Sequence, residues 1–214
     1  MIYKVFLIDG DAGILILEKS FKEFNKSKNL KTELLTNFFK EVNKMIDDIQ
    51  DAMTKGSRVG DTNRIISGEY STIIMYYHSL SHVLFCSISD DDDDKEKLIE
   101  ILQNFSLTFY KKHEKDLKKF RKTSEKNYFL SFIDEIDVLS VGGRGAEILP
   151  KLIIAKNVLE RIKNMGIINN KELKIALECN GKKSPLRISR IFNTIESKIR
   201  ESLKKLENLE IIKL

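Results

Sequence analysis

The sequence predicts an α+β protein: a five-stranded antiparallel sheet flanked by helices, followed by a small all-α unit. Three observations lead there. Short runs rich in branched and aromatic residues come in a group of two and then a group of three, with hairpin-length turns inside each group. Between the groups lies one long segment whose apolar residues recur at steps of three and four, the period of a helix. Beyond residue 145 the remaining patterns are helical and the charge turns basic.

The first run is Ile2, Tyr3 and Val5-Phe6-Leu7-Ile8, apolar enough for a strand buried on both faces. Asp9-Gly10-Asp11-Ala12-Gly13 supplies a turn, and residues 14–17 return as the second strand. Residues 22–31, rich in Lys, Asn and Ser, read as a loop. From Thr32 onward, Leu34, Leu35, Phe38, Phe39, Val42, Met45, Ile46 and Ile49 line one face of a helix of about six turns. Gly56 is placed to cap it.

Strands are expected at 63–67, 72–77 and 82–89, joined through Gly68-Glu69-Tyr70-Ser71 and through residues 78–81. A helix starts near Lys95, with Leu98, Ile99, Leu102, Phe105, Phe109 and Leu117 inward. A shorter one covers 128–139, and Val141-Gly142-Gly143-Arg144-Gly145 reads as a linker. The long helix between two antiparallel groups needs a crossover. Putting the first and last strands at the centre gives the order 2-1-5-4-3. The expected domains are 1–145 and 146–214.

In the second part, helices are expected at 149–164, at 171–178 behind an Asn169/Glu172 capping box, and from Ser184-Pro185 to about Leu209. This order resembles a helix-turn-helix or winged-helix core, although no strand pair for a wing is visible. Lys182, Lys183, Arg187 and Arg190 cluster at the start of the third helix, where such a core contacts nucleic acid. Ile191, Ile195, Ile199, Leu203, Leu206 and Leu209 form a near-heptad seam, which instead suits packing on another helix.

The chain has 214 residues, with 37 Lys/Arg against 32 Asp/Glu, a net charge of +5. Residues 1–120 hold 18 basic and 20 acidic side chains, so the basic excess lies wholly in the rest. No apolar run approaches the roughly 18 residues of a membrane span. Cys86 and Cys179 are too few and too far apart for a disulfide framework or a zinc site, which points to a reducing, cytoplasmic setting.

Three stretches carry a family resemblance. YKVFLIDGDAGILILEKSF resembles the opening hairpin of longin domains, including the adaptor small chains of sigma-adaptin type. LIEILQNFSLTFYKKHEKDL is similar to their penultimate helix, and NYFLSFIDEIDVLSVGG to the adaptor segment in which Leu-Asp-Glu precedes an apolar pair and Gly-Gly. Here Ile133-Asp134-Glu135 stands in place of Leu-Asp-Glu. The likeness covers about two-thirds of the chain, and the basic extension over 150–214 departs from it. It implies a profilin-like longin sheet without catalytic residues or cofactor. The implied partners are a small GTPase or another longin or roadblock-type protein, in vesicle traffic, as a homodimer or heterodimer and with peripheral contact to a membrane. The interface expected on the first helix and the neighbouring edge includes Lys40, Lys44, Arg64 and Glu69. Lys-, Ile- and Asn-rich usage suggests a microbial, archaeal source.

Other constellations have competing readings. Asp9 and Asp11 after an apolar strand fit a Mg²⁺-dependent phosphatase of haloacid-dehalogenase type, with Asp9 as phosphoryl acceptor. Gly13 stands where that family has Thr or Val, and the link to the second strand is only a turn, which favours a hairpin loop whose carboxylates bond nearby backbone amides. Residues 90–94 are five consecutive Asp, a metal site or a helix cap, and their spacing favours the cap. His78 and His82 flank a turn as two partly exposed imidazoles, with no further ligand near in sequence. The Lys-rich stretch 111–126 is a solvated helix face or a surface for anionic lipid. Gly142–Gly145 lacks the Lys-Ser/Thr of a phosphate loop. The DNA-binding regulator built on the basic end stands as the alternative function.

Overall fold

A computed structural model describes residues 1–21, 28–68 and 71–214, without the side chains of 28–33. The chain divides into two compact units, Met1–Ala146 and Glu147–Leu214.

The first unit runs β1 (Ile2–Asp9), β2 (Leu15–Ser20), α1 (Lys28–Thr54), β3 (Thr62–Ser67), β4 (Thr72–His78), β5 (Val83–Ser89), α2 (Lys95–Thr123) and α3 (Phe132–Leu139). The sheet order is β2-β1-β5-β4-β3, and every pairing is antiparallel. Every residue of β4 and β5 is buried, because alternate side chains enter two different cores. On one face Phe6, Ile8, Met75, Tyr77, Leu84 and Cys86 pack with Phe38, Val42, Met45, Ile46 and Ile49 of α1. On the other, Val5, Leu7, Ile74, Tyr76 and Phe85 pack with Phe105, Phe109, Phe129, Phe132 and Ile136. Two cores explain why these strands are apolar throughout rather than alternating.

Helix α1 begins at Lys28, inside the stretch read as a loop; residues 22–27 lie outside the described residues. The apolar period marks where a helix meets the sheet, not where it starts, and polar Lys and Glu are good helix formers. Helix α2 is continuous over 29 residues. The Asp94 side chain caps it by accepting from the Lys97 amide at 3.0 Å. The single helix expected at 128–139 is instead a 3-10 turn, Asn127–Phe129, followed by α3.

The glycine stretch read as a linker is part of the first unit. The Ile2 amide donates to the Gly143 carbonyl at 2.7 Å, and the Gly145 amide to the Ser140 carbonyl at 2.8 Å. Gly143 has φ +80°, and a Cβ there would lie 2.8 Å from Phe21 Cγ. Gly143 permits close packing against β1, and a Cβ on Gly145 would lie 3.0 Å from Ile101 Cδ1 of α2.

The second unit runs β6 (Lys151–Leu152), α4 (Lys156–Asn164), α5 (Asn170–Glu178), α6 (Pro185–Ile191), α7 (Glu196–Asn208) and β7 (Ile212–Lys213). It is not all-helical: β6 pairs with β7 antiparallel, and Lys151 forms a bridge with Asn180. The pairing holds residues 151–152 extended, so the helix expected from 149 starts at Lys156. The Asn169/Glu172 capping box forms. The long third helix does not. It breaks at residues 192–195, where Asn193 is left-handed (φ 46°), and α7 follows. Ile199, Leu203 and Leu206 are buried with Ile175, Ile188 and Ile212. Ile191 and Ile195 remain half or more exposed, so there is no continuous seam.

Candidate functional site

Asp9 ends β1 with only 1% of its surface exposed. It meets Arg121 from the last turn of α2: Nε and Nη2 both donate to Asp9 Oδ1, at 3.0 and 2.7 Å. The same Nη2 reaches the Ser81 carbonyl at 2.8 Å and Asp11 Oδ2 at 3.2 Å. His82 Nδ1 lies 2.9 Å from Asp11 Oδ1. A Cβ on Gly10 would come within 2.9 Å of the His82 carbonyl oxygen, so glycine permits the β1–β2 turn to lie against the β4–β5 turn. A cavity of about 210 Å³ beside them is lined by Asp9, Asp11, Ala12, Ile14, Phe120, Arg121 and Ser124. Both guanidinium bonds fall on Asp9 Oδ1, and Asp9 lies in an antiparallel sheet, whereas the haloacid-dehalogenase reading expects a parallel one.

Within the Asp run, three carboxylates have partners in the fold. Thr72 Oγ1 donates to Asp91 at 3.0 Å, Tyr3 donates to Asp90, and the Met1 amino group contacts both Asp90 and Asp93. Burial pushes the Asp93 carboxyl up to about 6, against the opposing pull of that amino group. His78 is not a partly exposed loop imidazole: it is 2% exposed, with Nδ1 2.8 Å from Ser81 Oγ, and burial lowers its pKa. Within the Lys-rich stretch, Lys112, Lys118 and Lys119 face Glu135, Glu114 and Asp116, and Arg121 faces Asp9. Among the described residues no group of three or more His, Cys, Asp or Glu side chains could hold a metal ion. Likewise, no helix is long and apolar enough to cross a membrane.

Of the expected partner-binding residues, Lys40 and Lys44 lie one turn apart on the exposed side of α1, next to Phe39, which is 47% exposed. Arg64 on β3 is tied down: Nη2 contacts Asp48 Oδ2 of α1 at 2.6 Å, with Glu41 at 4.0 Å. Its role is to fasten the edge strand to α1. Glu69 lies outside the described residues.

In the second unit, Lys182, Arg187 and Arg190 are exposed, while Lys183 pairs with Glu178. Because the third helix is broken, these residues surround α6, and α7 carries its own exposed side: Ser197, Lys198, Glu201, Lys204 and Asn208. Reading residues 184–209 as one helix hid Lys198 and Lys204 behind an apolar seam. The fastening between α5 and α7 is Glu172, which accepts from Lys205 Nζ at 2.8 and 3.0 Å and from the Asn169 amide at 2.8 Å. Burial pushes this carboxyl up, but those hydrogen bonds outweigh it and hold it below its ordinary 4.5. A carboxyl lowered on folding stabilises above its unfolded pKa and stops doing so as pH falls through the folded value. Glu172→Gln should therefore lower stability at pH 7 by about 1 kcal/mol, since Lys205 is half exposed. The deficit should shrink as urea unfolding is repeated at progressively lower pH.

No known family model and no curated protein matches this chain. The functional reading rests on the geometry.

Proposed function

We propose that the first unit is a non-catalytic, longin-like platform that binds a small GTPase, or another longin or roadblock-type protein, as an adaptor or regulator in membrane traffic. The observation carrying this reading is the antiparallel order β2-β1-β5-β4-β3, with α1 on one face and α2 and α3 on the other. In such a layer both faces are covered by the chain's own helices, so what remains for a partner is the outside of those helices and the open sheet edges. The outside of α1 offers Phe39, Lys40 and Lys44, an apolar anchor beside two cations, and neither lysine has an ion-pair partner among the described residues. That combination suits an acidic protein surface with an apolar centre. A cytoplasmic setting, with peripheral attachment to membranes through the partner, belongs to the same proposal.

The test is calorimetry of the full chain against a panel of small GTPases loaded with GDP or a non-hydrolysable GTP analogue. At least one should bind, with a preference for one nucleotide state. The Lys40→Glu, Lys44→Glu variant should weaken that binding at least tenfold without changing the melting temperature. If no member binds in either state, the GTPase reading falls.

A further inference from the structure

We propose that the Glu147–Leu214 unit binds double-stranded DNA, with α7 in the major groove and the α6–α7 turn against the phosphate backbone. This goes beyond the platform reading and rests on a different unit.

The argument starts with the break in the third helix. Helices α6 and α7 are joined by residues 192–195, with Asn193 left-handed and the Thr194 amide donating to the Ser189 carbonyl at 3.0 Å. A turn of this length between two helices is the connection that the helix-turn-helix arrangement uses, in which the second helix enters the groove. Here α7 is anchored by one face, through the buried Ile199, Leu203 and Leu206. Its exposed Ser197, Lys198, Glu201, Lys204 and Asn208 recur at steps of one, three and four and are all polar. A helix lying in a bilayer interface needs an apolar exposed face, and a helix-packing seam needs one too. A groove lined with base edges and phosphates needs a polar one carrying cations.

Charge points the same way. The unit holds 15 Lys/Arg against 8 Glu, a balance of +7, whereas Met1–Ala146 holds 22 basic and 24 acidic residues, a balance of −2. Three of the Glu side chains are already occupied: Glu172 by Lys205, Glu178 by Lys183 and Glu196 by Arg200. Arg187, Arg190, Lys198 and Lys204 have no carboxylate partner among the described residues. An open depression of about 440 Å³ at the turn is lined by Ser189, Arg190, Asn193, Thr194 and Ile195. In the proposed complex a backbone phosphate sits there, with Lys198 and Lys204 further along the groove.

The experiment is fluorescence anisotropy of the full chain with a labelled random-sequence 30-base-pair DNA duplex. Binding is expected at 50 mM salt, and about 100-fold weaker at 200 mM if these four cations each neutralise a phosphate. The Lys198→Gln, Lys204→Gln variant should lose at least tenfold in affinity and about 2 in the slope of log affinity against log salt. Lys156→Gln on α4 should match the parent, and melting curves of all variants should coincide. Absence of binding at 50 mM salt overturns the proposal, as does a double variant that binds like the parent. Binding to phosphatidylserine-containing vesicles, lost in the double variant and unaccompanied by duplex binding, would also overturn it and assign the face to lipid. None of these outcomes bears on the GTPase test, which reads the other unit.

Discussion

Arg121→Ala is expected to destabilise the first unit by about 3–5 kcal/mol, the cost of stranding a buried charge. Asp9 is almost fully buried, and both of its guanidinium bonds come from this one side chain, which also binds the Ser81 carbonyl and Asp11. Removing it strips a buried anion of its counter-charge. It also unfastens two sheet turns from the end of α2. The check is guanidinium unfolding of the variant beside Asp9→Asn/Arg121→Leu, which removes both charges and should recover part of the loss. Lys118→Ala, at an exposed ion pair on the same helix, should leave the midpoint unchanged. An Arg121→Ala midpoint equal to that of Lys118→Ala would show that Asp9 does not depend on its partner.

Phe109→Ala should cost about 3–5 kcal/mol as well, through the cavity it leaves. Its ring is fully buried and lies 5.7 Å from Phe85 on the sheet, 5.4 Å from Phe129 and 5.1 Å from Phe132. His113 is 5.3 Å away on the next turn of α2. Phe109 is thus the ring through which the sheet, α2 and the segment carrying α3 touch one another. The loss should therefore be uneven. Hydrogen exchange should speed up most in residues 127–139, which dock through Phe129, Phe132 and Ile136. Phe109→Leu, which refills much of the volume, should restore most of the stability. Uniform loosening of the whole unit, with 127–139 no more affected than β3, would contradict this.

The strand order was legible because two constraints act locally. Turns such as residues 78–81 are too short for anything but an antiparallel neighbour, and the one long helix forces a crossover. The capping box at Asn169 and the Asp94 cap were legible for the same reason, since donor and acceptor lie within one turn of each other. The break between α6 and α7 was not legible. Ile191, Ile195 and Ile199 continue a helical period across it, and neither Pro nor Gly marks the place. The strand pair β6–β7 escaped because each strand is two residues long and its partner lies at the other end of the unit.

The candidate site shows the same division. Lys40 and Lys44, expected at an interface because they lie on the first helix, stand exposed. Arg64, expected there because it lies on the neighbouring edge, is bound to Asp48, 16 residues away, and Arg121 binds Asp9 across 112. The linear order of residues determined the kinds of elements, their short-range caps and the sheet topology, because periodicity, turn chemistry and loop length act over a few residues. Only the tertiary structure decided which charges are free to meet a partner and which are spent inside the fold. That depends on distances between residues far apart in the chain, and burial makes such pairings matter by removing the water that would otherwise screen them.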